Sequence, residues 1–290
     1  MLPSHLLSTS AGERIMIAKT HATVLRVTPY RSSSHVVTWL TAGGNRIATI
    51  VKGATRARSM FLGQYDLAYT CELLYYIRES QGIHHIRECT PLTPRARLRS
   101  DWCAAACASY MCHLVALTTP PGAFVPRLYA LLNAALDAVE GDPTHSAVMW
   151  FEYRLLDELG LSPKFDVCTG CRAPVDIGAG VLVDPERGGA VCSRCAPSQA
   201  RPTSGPVRLG AEVTRHLLSC ATHRSLSLSP SVPGAGGLVS RFPQNQEFQA
   251  NRFFVRFLAY HLDLPPECRN VVFRLLQYAG THDERKNEAM

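Results

Sequence analysis

Four cysteines form two CxxC pairs in the second half of the chain, Cys168-Thr-Gly-Cys171 and Cys192-Ser-Arg-Cys195. Two such turns, separated by a short hairpin, can place four thiolates at the corners of a tetrahedron, which is the geometry of a structural Zn²⁺ site. Gly170 relieves steric crowding inside the first turn. We therefore expect Cys168, Cys171, Cys192 and Cys195 to bind a structural zinc ion. Two disulfides, four free thiols or an iron site are the alternatives.

This kind of site limits what the metal can do. Four thiolates complete a tetrahedral coordination shell, so no position remains for water or substrate. The metal would add folding free energy to a small module and would take no part in catalysis. Between the pairs, the sequence predicts a hairpin in which a turn at 184–189 connects residues 181–183 to residues 190–191.

Composition restricts the class of protein. The 290 residues are 46% apolar, and no stretch approaches the roughly 18 apolar residues of a membrane span. Residues 1–16 lack the apolar run of a secretory signal. Eleven cysteines without such a signal favour a reducing compartment, so we expect a cytoplasmic protein with no membrane association. The seven cysteines outside the CxxC pairs are interpreted as small buried hydrophobic residues.

Positive charge is concentrated at the N-terminal end of the chain. Residues 1–100 carry 13 Lys and Arg against 5 Asp and Glu, a net charge of +8, whereas residues 101–290 carry 17 against 18, a net charge of −1. A basic module joined to a nearly neutral remainder is typical of a protein that binds a polyanion, and it favours nucleic acid. A surface that only keeps the protein soluble is the alternative.

Residues 18–95 predict a small β domain. Five short segments are rich in β-branched and aromatic residues, and a Gly-rich hairpin turn at 42–45 separates the second from the third. Five strands with a basic loop after the third suit a closed barrel of the OB type, although the pattern would equally fit an SH3-like barrel. The five segments are 23–27, 35–40, 46–51, 68–77 and 83–86.

Helical patterns follow residue 95. One helix is expected from a cap at Ser100 to about residue 117, a second at 126–140, and a third from Asp142-Pro143 to a stop at Gly160. Further helices are expected at 248–262 and from Pro265-Pro266 to about residue 278. A Ser, Pro and Gly-rich loop occupies 225–237.

These patterns predict an α+β multidomain protein with an N-terminal OB-type β-barrel, a helical domain and an inserted four-cysteine zinc finger. The expected boundaries are an N-terminal extension at 1–17, the OB-fold domain at 18–95, the helical domain at 96–165 and 205–282, and the zinc-finger module at 166–204.

The loop after the third predicted strand, Lys52-Gly-Ala-Thr-Arg-Ala-Arg-Ser59, is the candidate DNA-binding element. Lys52, Arg56 and Arg58 would supply phosphate contacts, and Gly53 would let the backbone approach a phosphate. For each arginine, a solvated surface charge is the alternative interpretation. Three further arginines are expected to extend the groove, and five aromatic residues are candidate base-stacking platforms, about half of which should belong to the core instead. These residues are Arg26, Arg31 and Arg46, and Tyr30, Trp39, Phe61, Tyr65 and Tyr69.

Enzyme signatures are absent from the sequence. There is no GxxxxGK[ST] phosphate loop, no GxGxxG turn and no GxSxG elbow. The HxE at His282-Asp-Glu284 follows both CxxC pairs, which is the wrong order for a zinc deaminase. Lys52-Gly-Ala-Thr lacks the acidic residue of a ligase nucleotidyl-lysine motif. We therefore assign no catalytic residue; a zinc-bearing OB-fold nucleic-acid enzyme, such as a ligase-like or nuclease remnant, is the alternative.

The order of these parts resembles the RecO family of bacterial recombination mediators. The resemblance covers about residues 20–278. It is carried by Ala22-Thr-Val-Leu25 with Tyr30, Val36-Val-Thr-Trp-Leu-Thr41, Ile50-Val-Lys-Gly-Ala-Thr-Arg56 with Ser59, Trp150-Phe-Glu-Tyr-Arg-Leu-Leu-Asp-Glu-Leu-Gly-Leu-Ser-Pro163, Cys168-Thr-Gly-Cys171 with Gly188-Gly-Ala-Val-Cys192, and Phe257-Leu-Ala-Tyr-His-Leu262.

The resemblance implies an N-terminal OB fold, a helical domain and a zinc finger that some members have lost. It also implies a function, which is to bind single- and double-stranded DNA, to anneal complementary strands, and to help load RecA onto DNA coated by single-strand binding protein. The implied partners are RecR and the C-terminal tail of that binding protein, and the implied location is the nucleoid. Residues 1–17 precede the usual start, so Met16 is a candidate initiator, and the loop at 225–237 looks longer than usual.

Overall fold

The computed structural model describes residues 6–7, 15–78, 82–196, 205–222 and 244–288. The chain forms two compact units, Met1–Glu140 and Gly141–Met290. Most of the expected N-terminal extension and the whole loop at 225–237 lie outside the described residues. None of the described helices is long and apolar enough to cross a membrane.

The first unit contains a mixed sheet. Its five long strands pair in the order β2–β3–β4–β6–β5, and β5 also pairs with β2, so the pairings return to the strand at which they began. All pairs are antiparallel except β4 with β6. The strands are β1 (Leu6–Leu7), β2 (Ile15–Tyr30), β3 (Ser34–Thr41), β4 (Arg46–Val51), β5 (Thr70–Tyr76) and β6 (His84–Thr93).

Alternation of side chains gives this sheet its core. Along β4, Ile47, Thr49 and Val51 are buried, while the residues between them are only partly covered, as expected for a strand with one face on a core. Trp39 of β3 is fully buried, and its Nε1 donates a hydrogen bond to Thr49 Oγ1 at 2.9 Å. The indole therefore brings its polar atom into the core with a partner, as a buried tryptophan requires.

Two helices of the first unit follow the sheet, α1 (Trp102–Thr118) and α2 (Leu128–Gly141). The N-cap of α1 is Asp101, not the expected Ser100, because the Asp101 carboxylate accepts hydrogen bonds from the amides of Cys103 and Ala104. A carboxylate at this position also stabilises the positive end of the helix dipole.

A buried arginine connects α2 to the sheet. The Arg95 guanidinium donates to Ala68 O at 2.6 Å and Thr70 Oγ1 at 3.0 Å on the sheet side, and to Asn133 Oδ1 at 3.0 Å and Asp137 Oδ1 at 2.8 Å on α2. Because of such contacts, α1 and α2 belong to the first compact unit. The units therefore divide the chain differently from the expected domains, which grouped 96–165 with the later helices.

The described residues of the second unit form four α-helices and a small sheet ordered β8–β7–β9. Thr144, not Asp142, caps α3, since its hydroxyl accepts a hydrogen bond from Ala147 N at 3.2 Å. Neither α4 nor β9 was predicted from the sequence. The elements are α3 (His145–Glu158), α4 (Ala211–Thr222), α5 (Gln244–Leu262), α6 (Pro266–Glu288), β7 (Val181–Asp184), β8 (Gly189–Ala190) and β9 (Val207–Leu209).

A buried ion pair joins α3 to α6. Arg269 Nε and Nη2 donate to the two carboxylate oxygens of Glu152 at 2.7 and 3.0 Å, and both side chains are excluded from solvent. The guanidinium also donates to Asn251 of α5, and it lies 3.7 Å from the centroid of the Phe273 ring. One cation thus links three helices through a bidentate, charge-assisted contact.

Candidate functional site

The four predicted cysteines lie together in the second unit. Their sulfur atoms are all within 4.8 Å of one another, and Cys171 Sγ lies 3.7 Å from Cys192 Sγ. Four thiolates at the usual zinc–sulfur distance stand about 3.8 Å apart along each edge of the tetrahedron. The donor set and its spacing therefore fit a metal ion, and the cluster could hold one.

Backbone hydrogen bonds preorganise the cluster. In the first turn, Cys168 N donates to Ala173 O at 2.8 Å and Arg172 N donates to Cys168 O at 2.8 Å. In the second, Cys195 N donates to Cys192 O at 3.0 Å. A Cβ on Gly170 would lie 3.1 Å from Cys195 Sγ, so the close approach of the two turns favours glycine at this position.

The hairpin between the cysteine pairs has the predicted form. Val183 of β7 pairs with Ala190 of β8, and Thr169 N donates to Ala190 O at 2.8 Å, which fixes the first turn against the hairpin. His261 Nε2 of α5 donates to Pro185 O at 2.9 Å. The helices of the second unit therefore hold the hairpin that carries the cysteines.

Electrostatics favour a thiolate at two members of the cluster, since a hydrogen bond from the amide of Cys195 lowers the pKa of Cys192. Hydrogen bonds from the amides of Cys171 and Cys192 lower the pKa of Cys168 to about 6. Sharing of hydrogen bonds with the thiols of Cys192 and Cys171 raises the pKa of Cys195 to about 12. Two stabilised thiolates beside neighbouring thiols are an arrangement that a bound cation would complete, because a cation favours all four deprotonated forms.

The basic loop of the first unit is held by a series of turns. Arg56 N donates to Gly53 O at 3.2 Å, Ser59 N to Arg56 O at 2.9 Å, and Leu62 N to Ser59 O at 3.3 Å. Gly53 adopts φ +67°, a left-handed conformation that glycine adopts without strain. Thr55 N donates to Ser33 O at 3.3 Å, which connects the loop to the β2–β3 turn.

A cleft of about 490 Å³ opens between this loop and the β2–β3 turn, and we call it the loop cleft. Lys52 and Arg56 line it from the loop, and Arg31 lines it from the turn. Its remaining lining residues are Tyr30, Ser33, Ser34, Ile50 and Gly53. The structure thus brings together three of the six predicted cations, whereas Arg58 lies exposed further along the same loop.

The cations of the loop are not neutralised by neighbouring carboxylates. Within the described part of the chain, Lys52, Arg56 and Arg58 form no salt bridge, although seven other arginines do. The charge of Lys52 adds to burial in lowering the pKa of His85 on β6. The loop therefore presents a positive potential that an incoming anion can neutralise.

The other two predicted arginines lie elsewhere. Arg26 and Arg46 line a separate cleft of about 850 Å³ between the sheet and α1, together with Asp66 and His113. Arg46 Nη1 donates to Ala116 O in the last turn of α1 at 2.6 Å, so this side chain has a structural partner at the negative end of a helix. Arg26 and Arg46 therefore do not line the loop cleft.

The five candidate aromatic residues divide between surface and core. Tyr30 is exposed and lies under the Arg31 guanidinium, 5.3 Å from its carbon to the ring centroid. Phe61 and Tyr65 are partly buried against the core. Trp39 and Tyr69 are buried, so these two belong to the share of the aromatic residues that was expected in the core. The alternation of strand residues accounts for Trp39, whose neighbours in β3 face the other side.

Two serines of the loop cleft were missed by the sequence analysis. Ser33 lies in the turn that follows Tyr30, and Ser34 is the first residue of β3. Hydroxyl groups commonly contact phosphate oxygens, and they do so without adding net charge. The run Arg31-Ser-Ser-Ser34 between two strands was the available signal, because a short polar turn beside a basic loop places its side chains at the same end of the sheet.

Comparison with known proteins gives the context for both sites. The family model "Recombination protein O N terminal" matches residues 16–95, and "Recombination protein O C terminal" matches residues 99–267. The two models together define a protein of DNA recombination with an N-terminal sheet and a C-terminal part that carries the cysteine cluster. The boundary between them precedes α1, whereas the compact units divide after α2.

Individual relatives agree with the family models. A DNA repair protein RecO of Anaeromyxobacter dehalogenans (strain 2CP-1 / ATCC BAA-258) is 31% identical over 248 residues, which cover 84% of this chain and 91% of the relative. The RecO of Pelobacter propionicus (strain DSM 2379 / NBRC 103807 / OttBd1) is 29% identical, with the same coverage. The chain belongs to the RecO family, as the sequence resemblance predicted, and membership assigns it a role in DNA repair and recombination.

Proposed function

We propose that this chain binds single- and double-stranded DNA on its N-terminal sheet, which we interpret as an OB-type barrel. The closed series of strand pairings and the position of the basic loop after the third long strand support this interpretation. Lys52, Arg56 and Arg58 would contact phosphates, and Arg31, Ser33 and Ser34 would add contacts across the loop cleft.

The observation that carries this proposal is a group of cations around an open cleft that have no carboxylate partner among the residues that the structure describes. A side chain already held in a salt bridge gains little from a phosphate, because the carboxylate must first be displaced. Arg97 and Arg99 illustrate this: Arg97 is paired with Asp101 at 2.9 Å, and Arg99 lies 3.8 Å from Asp66. We therefore favour the loop over this second Arg-rich segment as the phosphate-binding element.

Annealing of complementary strands follows from the same charge. Two strands repel each other through their phosphates, and a protein that binds both reduces this repulsion because its cations neutralise phosphates; the counterions that are released favour binding. Contacts to phosphate leave the base edges free to pair, so we propose annealing with little sequence preference and without nucleotide. In this proposal the chain is a mediator with no catalytic residues. It acts in the cytoplasm with RecR, recognises the tail of single-strand binding protein, and helps load RecA.

The metal in this proposal is a structural zinc ion held by Cys168, Cys171, Cys192 and Cys195. A zinc ion would supply folding free energy by fixing both CxxC turns to the β7–β8 hairpin. Four sulfur donors leave no open coordination position, which is consistent with a role in stability alone.

The salt dependence of DNA binding tests the assigned surface. Replacing Lys52, Arg56 and Arg58 together by Ala should weaken binding to all sequences and reduce the slope of log K against log salt by about 2–3, because each lost phosphate contact contributes roughly 0.7–0.9. The matched control removes the same charge from exposed arginines of the second unit, as Arg208→Ala, Arg215→Ala and Arg274→Ala.

The control variant should keep the slope of the wild type. Equal losses in both triple variants would mean that net charge alone matters, and an unchanged slope in the loop variant would place the phosphate contacts elsewhere. Cleavage or sealing of strands during the incubation would favour the zinc-bearing enzyme instead.

A further inference from the structure

Two apolar side chains are exposed immediately after the basic loop. Met60 is 68% exposed and Leu62 is 52% exposed, although each stands next to Phe61, which packs against the sheet core. Phe61 anchors the segment, and its neighbours on both sides are left in solvent. Methionine and leucine gain free energy from burial, so a pair held outward on an anchored segment offers apolar area to a ligand that covers it.

The backbone places this pair beside the phosphate-binding cations. The three turns that connect Gly53, Arg56, Ser59 and Leu62 each span less than about 7 Å, so the apolar pair is within a few nucleotides' length of the loop cleft. Phe61 N also donates to Ser59 Oγ at 3.3 Å, which fixes the start of the segment. The cations of the loop are therefore followed along the chain by the exposed apolar pair Met60 and Leu62.

The charge of the neighbouring residues indicates which ligand covers this apolar pair. An occupant must tolerate Lys52, Arg56 and Arg58, which have no carboxylate partners in the described part of the chain, and must also offer apolar surface. Single-stranded DNA has both properties, because its phosphates carry the charge and its unpaired bases expose flat apolar faces. In a duplex those faces are stacked on one another, and only the groove edges remain accessible.

We propose that Met60 and Leu62 contact unpaired bases and thereby make the loop prefer single-stranded DNA over duplex. This inference rests on the proposed function, since it requires that the loop binds phosphates. It assigns the two kinds of side chain different tasks: the cations attract either form of DNA, and the apolar pair distinguishes between the two forms.

The test combines a protein variant with a DNA variant. Met60→Ser with Leu62→Ser should bind single strands about tenfold more weakly, with an unchanged salt slope and unchanged duplex affinity. The matched control, Leu92→Ser with Phe124→Ser, removes apolar side chains of similar exposure from other segments of the same unit and should leave both affinities unchanged. The wild type should bind an oligonucleotide built of abasic sites more weakly than one with bases. The Met60/Leu62 variant should bind the abasic oligonucleotide as well as the wild type does.

The outcomes separate this inference from the proposed function. If the loop variant lacking Lys52, Arg56 and Arg58 loses affinity but the Met60/Leu62 variant does not, the inference is wrong and the proposed DNA surface stands. If neither variant loses affinity, the surface itself is wrong. Unchanged binding to both DNA forms, together with weaker binding of RecR or of single-strand binding protein, would show that the apolar pair docks a protein and would overturn the inference.

Discussion

Replacing Glu152 by Gln would leave a buried cation of the second unit without its counter-ion. Arg269 is fully buried and donates to both carboxylate oxygens of Glu152. Removing one member of such a pair typically costs about 3–5 kcal/mol, because the remaining charge stays in a poorly solvating environment. Gln keeps one acceptor oxygen, and the contacts of Arg269 with Asn251 and Phe273 remain. We therefore expect a loss at the lower end, about 3 kcal/mol.

Hydrogen exchange measures this loss in the unit that contains the pair. Amides of α3, α5 and α6 should open roughly 10²-fold more often in the Glu152→Gln variant. Glu267→Gln removes the same charge from an exposed position in the first turn of α6 and should change the free energy of opening by less than about 0.5 kcal/mol.

A second variant separates charge from packing. Glu152→Leu combined with Arg269→Met removes both charges while keeping apolar volume, so it should recover most of the stability lost in Glu152→Gln. The reasoning would be refuted if the free energies of opening in α3 and α6 of the Glu152→Gln variant stayed within about 0.5 kcal/mol of the wild-type values. Arg269 would then be solvated or neutralised in another way.

Two further predictions concern the metal and the pH. Cys192→Ser should lower the metal content from about one zinc per chain and lower the melting temperature, as metal analysis and calorimetry would show; a metal-free wild type with the same melting temperature would contradict it. Burial lowers the pKa values of His84 and His261 in the folded chain. The unfolded chain therefore binds protons first, so their contribution to stability is complete above about pH 6.5 and is lost as the pH falls towards the folded pKa values. Melting temperatures measured across this range should decline on acidification, and the melting temperature of His261→Gln should decline less than that of the wild type. Identical pH profiles of the two proteins would contradict the assignment of this pH dependence to His261.

The sequence predicted those elements whose signals are local. The CxxC spacing predicted which four sulfur atoms come together, because each turn and the hairpin between them are short. The strands of the first unit were found from β-branched and aromatic runs, and the five predicted segments all overlap strands. Helix α4 was missed although Val213, Leu217 and Cys220 are buried at helical spacing, which was a usable signal.

Other features depend on pairings between distant segments. The parallel contact of β4 with β6, in which Thr49 is opposite His84, closes the series of strand pairings and has no local signature. The same holds for Arg46, whose partner Ala116 is 70 residues away along the chain. The sequence identified Arg26, Arg31 and Arg46 as candidate phosphate contacts, but only the register of the sheet shows which cleft each of them lines. The orientation of Trp39 was uncertain for the same reason, since an aromatic residue in a strand faces the core or the solvent according to its register.

Annealing of complementary strands tests the central proposal most directly. Complementary oligonucleotides, bare or coated with single-strand binding protein, are mixed with the protein at low and at high salt, without ATP or Mg²⁺. We expect fast annealing at low salt that declines as salt rises, and little annealing by the variant lacking Lys52, Arg56 and Arg58. Annealing that requires ATP, or that is equally fast in this variant, would contradict the proposal that the loop of the first unit joins DNA strands by charge alone.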